Sequence, residues 1–451
     1  MRQTLLAFFA LVLAGGCDPG EFGAALDQAP VQVIGDPGGF GSDVGRVLLP
    51  LAPLPNMAAR LLFAGSHPNQ GVSLAVASFD RDGKSQVQAA TSDDPNTLGL
   101  TFSQNSAENG ISSMAALNGS TTEVLIALGI PNLVSAQGQG AVAFVTLAAD
   151  ANGNADFESA AELPRFAPAE PHFGLAVAAG RVTQTAADEL IVVSDEGVHA
   201  LGFPTSDVVS DAKCAVSMAT PADLYRSLAV ADFLPDSDSG GRQEIAVGLP
   251  NPGLTGAGRV LILQYDAVAA DLSCPIELSV PSDNSPGFGT ALAAVPHADG
   301  KSFDLLVGAP PDRVYLFASP FNGSPIQVFS GDATSQFGQR VAPARIGVGG
   351  AQEIAITALQ ADVGSTKAAG KVLIYALDGD GTTPVAALND SSPINKEDFG
   401  IGLAELEFNN SSPICPKGKD AHLLVVGADL DIFTFFNFPH SAADPRCFAR
   451  K

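Results

Sequence analysis

The sequence predicts an all-β protein made of seven copies of one four-stranded unit, and three observations support this. Glycine (47) and proline (32) are abundant among the 451 residues, and charged residues are only 16%. Short runs of β-type residues lie between clusters of Gly, Pro, Asn, Asp and Ser, as strands lie between turns. One pattern of strands recurs at intervals of about 50 to 70 residues, which suits a four-stranded blade.

Each copy starts with an aromatic-glycine or similar pair and an apolar strand. A polar loop, a second apolar strand ending in small residues, and a third strand follow. The clearest copy is Phe288-Gly289-TALAAV, then Asp304-LLVGAP, then Arg313-VYLF. The copies begin near residues 40, 109, 173, 225, 288, 337 and 399. Units that cannot cover their own apolar faces must stack, so the pattern predicts one seven-bladed β-propeller over residues 31–451.

The packing of neighbouring blades and the geometry of turns explain the residue types found in each copy. The second strands are nearly continuous apolar runs, as expected for strands that neighbouring blades bury on both faces. Each phenylalanine can wedge between adjacent blades, and the glycine beside it allows the backbones to approach closely. A fourth antiparallel strand is predicted across a hairpin turn, with turn residues such as those at 321–323 and 378–381.

The seventh copy shows only three strands, and its outer strand is predicted at the N-terminal end of the propeller. Pro30-VQVI precedes Phe40-Gly41 much as Pro325-IQVF precedes Phe337-Gly338. We therefore expect residues 31–34 to pair with the last blade, which closes the ring and removes open edges. A strand from the C-terminal end in that place is the alternative.

The motif resembles the FG-GAP repeat of integrin α-chain propellers. Phe288-Gly289 with Gly308-Ala309-Pro310 matches both halves of that name, and the resemblance covers residues 31 to about 438. It implies Ca²⁺ binding by acidic loops between first and second strands, where carboxylates converge on a hard cation. The best match comprises Asp232, Asp236, Asp238 and Glu244. Solvated loop carboxylates without a metal are the alternative, and no cofactor other than Ca²⁺ is expected.

The resemblance also implies that the loops between second and third strands lie on the ligand-binding face, and we expect a ligand to engage these 2–3 loops and the 4–1 connections between blades. Three of these loops are long, at 131–139, 251–257 and 360–369, and recognition often resides in long loops on a rigid scaffold. Their polar residues predict a polar ligand or a protein partner, and the candidates are Asn132, Gln137, Asn251, Thr255, Asp362 and Lys367. Permissive surface insertions are the alternative interpretation.

The N-terminal segment is not expected to belong to the propeller. Residues 1–16 resemble a bacterial lipoprotein signal peptide, with a short apolar stretch ending in small residues before Cys17. Residues 17–30 would then be a lipidated cysteine and a short tether. An ordinary secretory signal is the alternative, and both place the mature chain outside the cytoplasm. We expect membrane contact through the lipid alone, on the periplasmic side or at the cell surface.

Four further cysteines permit disulfides in an exported chain. Cys415 with Cys447 is the favoured pair, because both lie in the last blade. Cys214 and Cys274 lie in equivalent outer strands of neighbouring blades and form a second candidate pair. No two of these cysteines are close in sequence, which disfavours a zinc site.

The net charge and the absence of familiar catalytic motifs disfavour some classes of function. The net charge of −25 repels phosphate backbones and disfavours a nucleic-acid partner. The sequence carries no H-E-x-x-H, P-loop or G-x-S-x-G motif. We therefore expect a monomeric, non-enzymatic surface lipoprotein for binding or adhesion. The alternatives are a periplasmic scaffold for envelope proteins, or a hydrolase of the kind in which FG-GAP blades accompany a phospholipase D domain.

Overall fold

The computed structural model describes most of the predicted propeller. The described residues are 32–35, 42–51, 59–67, 71–79, 85–91, 110–117, 123–135, 138–149, 155–158, 172–183, 188–202, 207–211, 227–234, 241–251, 257–280, 285–297, 300–344, 352–408, 421–429 and 431–436. Cys17 and the segments 1–16 and 17–30 lie outside these residues.

The described strands form seven antiparallel sheets of four strands each. The strands of blades 1 to 3, with the N-terminal strand β1, are β1 (Gln32–Ile34), β2 (Ser42–Leu51), β3 (Ala59–His67), β4 (Gly71–Phe79), β5 (Ser85–Thr91), β6 (Ser113–Leu117), β7 (Glu123–Ser135), β8 (Gly138–Ala149), β9 (Ala155–Glu158), β10 (Ala176–Gly180), β11 (Glu189–Val193), β12 (Val198–Gly202) and β13 (Asp207–Asp211).

Blades 4 to 7 follow the same plan. Their strands are β14 (Leu228–Ala231), β15 (Glu244–Leu249), β16 (Arg259–Asp266), β17 (Asp271–Leu278), β18 (Ala291–Pro296), β19 (Phe303–Ala309), β20 (Arg313–Phe317), β21 (Gln327–Ser330), β22 (Phe337–Ala344), β23 (Glu353–Ala358), β24 (Lys371–Ala376), β25 (Ala386–Leu388), β26 (Gly402–Phe408), β27 (Ala421–Gly427) and β28 (Ile432–Phe436). A short 3-10 turn, Ala333–Ser335, precedes β22.

The sheets form a closed ring, as predicted. The first strands contact one another in the order β2, β6, β10, β14, β18, β22 and β26, and β26 contacts β2 again. The N-terminal strand β1 pairs antiparallel with β28, with Ile34 opposite Ile432, and completes the last blade. The N-terminal strand, and not one from the C-terminal end, therefore fills the outer place.

Strand order also defines two faces of the ring. Because successive strands of a blade run in opposite directions, the 1–2 and 3–4 connections lie on one side, called here the lower face. The 2–3 loops and the 4–1 connections between blades lie on the other side, called the upper face. The predicted Ca²⁺ loops therefore belong to the lower face, and the predicted ligand loops belong to the upper face.

The core lies between the blades. Every residue of the second strands β11, β15 and β23 is buried, because adjacent blades cover both faces of each sheet. Phe173, Phe288, Phe337 and Phe399 are each fully buried, and each belongs to an apolar cluster shared by two adjacent blades. The prediction that these phenylalanines wedge between blades is confirmed.

Close glycine contacts hold neighbouring blades together at the upper face. Gly248, at the end of β15, lies so near the carbonyl of Gly289 in the next blade that a Cβ would come within 3.0 Å of it. Gly129 and Gly308 make the same approach to the next blade, and Gly427 approaches the carbonyl of Gly45. In blade 1 the contact glycine is thus Gly45, four residues after the Gly41 of the sequence motif.

A disulfide links the outer part of blade 4 to another cysteine. Cys274, in β17, is disulfide-bonded and packs against the apolar cluster shared by blades 3 and 4. The outer strand of blade 3, β13, contacts β17. Cys214 follows the end of β13 by three residues, which is a reach of about 10 Å.

We predict that Cys214 is the partner of Cys274, although Cys214, Cys415 and Cys447 lie outside the described residues. Peptide mapping under non-reducing conditions should recover a Cys214–Cys274 cross-linked peptide that disappears after reduction. The same map tests the predicted Cys415–Cys447 pair. A peptide joining Cys274 to Cys415 or Cys447 would show that the blade 3–blade 4 assignment is wrong.

Candidate functional site

The upper-face loop of blade 2 differs from its prediction. Residues 131–139 were expected to form a long loop, but β7 continues to Ser135 and β8 begins at Gly138. Asn132 lies in this strand extension, next to a register irregularity between Ile130 and Val134, and is half-buried. Apolar residues on both sides of the expected loop let the hairpin lengthen, so Asn132 has less exposed surface than a loop residue. Gln137 lies outside the described residues.

The upper-face loop of blade 4 is described only at its two ends. The Asn251 N–H donates to the Pro286 carbonyl at 2.7 Å, and this bond ties the loop to the entry of blade 5. Asn251 is half-buried, and Thr255 lies outside the described residues. The structure therefore places Asn251 at a seam between two blades of the upper face.

The upper-face loop of blade 6 brings two predicted residues together. Lys367 donates from its ammonium to the Asp362 carboxylate, and the Ala368 N–H donates to the same carboxylate at 3.0 Å. The Lys367 hydrogen bond is the main cause that lowers the pKa of Asp362. Both side chains remain exposed, Lys367 at 76% and Asp362 at 44%. They form a surface ion pair that a polar ligand can reach.

The connection between blades 6 and 7, residues 389–398, extends this surface. The Lys367 N–H donates to Asn395 Oδ1 at 2.9 Å, and the Lys396 N–H donates to the Lys367 carbonyl at 3.2 Å. The sequence placed a ligand at the 2–3 loops and the 4–1 connections, but it singled out residues of the 2–3 loops only and named none in this segment. Its run of Asn, Asp, Ser and Pro was the available signal. We call residues 361–369 with 389–398 the upper patch.

The predicted Ca²⁺ loop of blade 4 is only partly described. Glu244 is buried, and its carboxylate accepts the N–H groups of Phe233 at 2.8 Å and Leu234 at 2.9 Å. Asp236 and Asp238 lie outside the described residues. The carbonyl of Asp232 accepts the Phe303 N–H of the next blade at 2.9 Å.

The structural role of Glu244 recurs in blade 3. Glu189 accepts the N–H groups of Val182 at 2.9 Å and Thr183 at 2.8 Å in the same geometry. A carboxylate that caps its own 1–2 loop does not need a metal to be satisfied. Within the described part of the chain, no three His, Cys, Asp or Glu side chains group as metal ligands. Ca²⁺ binding by the blade 4 loop stays a prediction.

Polar side chains meet in blade 3. His172 Nδ1 lies 2.7 Å from Asp195 Oδ2, whereas His199 Nε2 lies 3.2 Å from Ser194 Oγ. The serine and the aspartate therefore contact different histidines. Ser194 is fully buried and its Oγ accepts two backbone N–H groups of the following turn. These bonds stabilise the turn.

Arg60 is an unexpected feature of the lower half of blade 1. It pairs with Leu51, the last residue of β2, and Glu189, Glu244 and Glu353 hold the equivalent register positions in blades 3, 4 and 6. Arg60 is 1% exposed. No hydrogen-bond acceptor among the described residues reaches its three guanidinium nitrogens, and burial lowers its pKa.

The described residues contain no helix that is long and apolar enough to cross a membrane. Neither the known family models nor the curated proteins yield a match to this chain. The structure shows the architecture, a closed seven-bladed β-propeller.

Proposed function

We propose that this protein works by binding, and that the upper patch is its recognition surface. The observation that carries the proposal is the set of hydrogen bonds joining the 2–3 loop of blade 6 to the connection between blades 6 and 7. These bonds fix two loops of different origin into one surface on a closed ring. A rigid scaffold with preordered loops loses little conformational entropy on binding.

The chemistry of the upper patch fits a polar partner with one apolar contact. Lys367 and Asp362 offer opposite charges side by side, and Asn395 and Lys396 are exposed beside them. Ile394 is 59% exposed in the middle of these polar groups. An aliphatic side chain ringed by polar groups is a common feature of protein–protein interfaces. We infer a protein or another polar surface ligand as the partner.

The proposed location of the protein rests on its first residues and on Cys274. The apolar stretch that ends at Cys17 supports export and lipid attachment, as an integrin α-like surface lipoprotein for binding or adhesion. The disulfide at Cys274 supports an oxidising compartment outside the cytoplasm. Proteolysis of intact cells tests surface exposure, since a periplasmic scaffold would be protected until the envelope is opened.

The binding proposal predicts that the double variant Asp362→Ala with Lys367→Ala loses its partner. A soluble form lacking residues 1–17 would be used to capture proteins from an envelope extract. Loss of this exposed pair should weaken capture by about tenfold, because hydrogen bonds to charged groups contribute about 1.5 kcal/mol or more. The measurement is the amount of each captured protein relative to the unchanged form.

The matched control is Lys301→Ala with Asp380→Ala, which removes the same charges from exposed positions on the lower face. This variant should capture the same proteins as the unchanged form. Equal capture by all three forms, or equal loss in both variants, would contradict the assignment of binding to the upper patch. Repeating the capture with a chelator tests the blade 4 Ca²⁺ loop separately, because Ca²⁺-dependent partners would then be lost.

A further inference from the structure

Arg60 places a positive charge inside the seam between blades 1 and 2. It is 1% exposed, and none of its three guanidinium nitrogens reaches a hydrogen-bond acceptor among the described residues. Because side chains alternate along a strand, Arg60 shares a face of β3 with Leu62 and Ala64, which belong to the apolar cluster between the two blades. The guanidinium group therefore lies where hydrocarbon side chains are expected.

The immediate neighbours of Arg60 supply no negative charge. Arg60 lies opposite Leu51 on β2 and opposite Ser78 on β4. Across the seam, blade 2 contributes Val124 and Leu147, which lie opposite each other and pack against the same cluster. Of these four residues only Ser78 is polar, and its hydroxyl group is neutral. The surroundings are thus apolar and do not offset a buried cation.

The other charged side chains described in blades 1 and 2 also fail to reach Arg60. They are Arg46 and Glu123, and both are exposed. Glu123 alternates along β7 with Leu125 and Ala127, which pack toward blade 3. The Glu123 carboxylate therefore lies on the face of blade 2 that is turned away from Arg60. The described chain does not provide the counter-charge.

Loss of a proton cannot remove the charge of Arg60. Burial lowers the pKa of the Arg60 guanidinium group, but arginine remains protonated in proteins because its ordinary pKa is so high. A charge taken out of water needs both an opposite charge and hydrogen-bond acceptors. An anion from solution meets both needs at once.

Blades 3 and 4 show what an anion does at this position. Glu189 and Glu244 occupy the register position of Arg60, and each carboxylate accepts two backbone N–H groups of its own 1–2 loop. Blade 1 therefore carries the opposite charge at a place where two other blades carry a negative group. An anion bound to Arg60 would restore a negative group there.

We propose that Arg60 binds a small monovalent inorganic anion of the chloride type at the lower end of the seam between blades 1 and 2. The guanidinium N–H groups donate to the anion, which takes the position that a glutamate carboxylate has in blades 3 and 4. A small monovalent ion fits best, because apolar neighbours make it costly to remove a larger charge from water. The site lies on the lower half of the ring and does not depend on the upper patch.

The dependence of thermal unfolding on chloride tests this site. The protein is heated in sodium chloride and in sodium gluconate at equal concentrations from about 10 mM to about 1 M, so that both salts screen the net charge of −25 to the same extent. A ligand that binds only the folded state stabilises it with the logarithm of its concentration above the dissociation constant. There, each tenfold rise in chloride should raise the unfolding temperature by about 1.5 °C more than gluconate does.

Two variants assign the effect to Arg60. Arg60→Met should show the same unfolding temperature in both salts, whereas Arg46→Met, which removes an exposed arginine of the same blade, should keep the full chloride effect. In gluconate the unpaired guanidinium group destabilises the original protein, so Arg60→Met should unfold at the higher temperature there. This difference should shrink by about 1.5 °C for each tenfold rise in chloride.

Equal unfolding temperatures of the original protein in the two salts would overturn the proposal, and the partner of Arg60 would then be sought in the chain outside the described residues. An equal chloride effect in Arg60→Met would also overturn it, because the ion would then bind elsewhere. If Arg60→Met does not fold, crystals of the original protein grown with bromide in place of chloride decide the matter. An anomalous scattering peak beside the Arg60 guanidinium group supports the site, and the lack of a peak there contradicts it.

Discussion

Replacing Gly427 by alanine is expected to lower the free energy of unfolding by about 3 kcal/mol, because it overpacks the seam that closes the ring. A Cβ at Gly427 would lie within 3.0 Å of the Gly45 carbonyl oxygen, and the atoms it meets are all backbone. Gly45 is also held in place, since the Val44 and Gly45 N–H groups donate to the carbonyls of Asp429 and Ala428. Neither blade can move aside without breaking those bonds. Thermal or chemical unfolding measures the change.

Gly323→Ala is the matched control for this substitution. A Cβ at Gly323 meets no atom within 4 Å, so alanine there should be neutral or stabilise the protein by up to about 1 kcal/mol. Gly248→Ala, at the equivalent contact between blades 4 and 5, should resemble Gly427→Ala. If Gly427→Ala and Gly323→Ala unfold at the same temperature, the close approach at the seam is not real.

Replacing Arg60 by methionine is expected to stabilise the protein by about 2 kcal/mol, which is unusual for a buried substitution. The guanidinium group is removed from water, and no acceptor within the described part of the chain offsets the cost. Leu62 and Ala64, on the same face of β3, belong to the apolar cluster between blades 1 and 2. A methionine side chain of similar length would join that cluster.

Arg46→Met on the neighbouring strand of the same blade is the control. Arg46 is exposed, so its replacement should change the free energy of unfolding by no more than about 0.5 kcal/mol. Comparison of the unfolding temperatures of both variants with that of the unchanged protein measures the effect. A clear fall in stability for Arg60→Met would mean that the guanidinium group makes bonds essential to the fold, contrary to this interpretation.

The candidate site residues were harder to foresee than the fold. Asp362 and Lys367 were candidates because they lie in a long polar loop, but their pairing with each other depends on how that loop turns back. The burial of Glu397 carried no sequence signal, because an acidic residue in a polar loop is normally solvated. Glu244 was expected to bind a metal, yet its described bonds go to backbone N–H groups that only the folded loop brings to it.

The sequence alone determined the blades, their number and the strand that closes the ring. These features rest on local rules repeated along the chain: apolar runs within strands, turn residues between them, and an aromatic-glycine or similar pair at the start of each copy. Only the tertiary structure decided that Gly45 serves as the contact glycine of blade 1, and that Arg60 and Glu397 are buried. Each of these three features depends on which segments, far apart in sequence, come together in the folded protein. The pattern of residues within one segment does not contain that information.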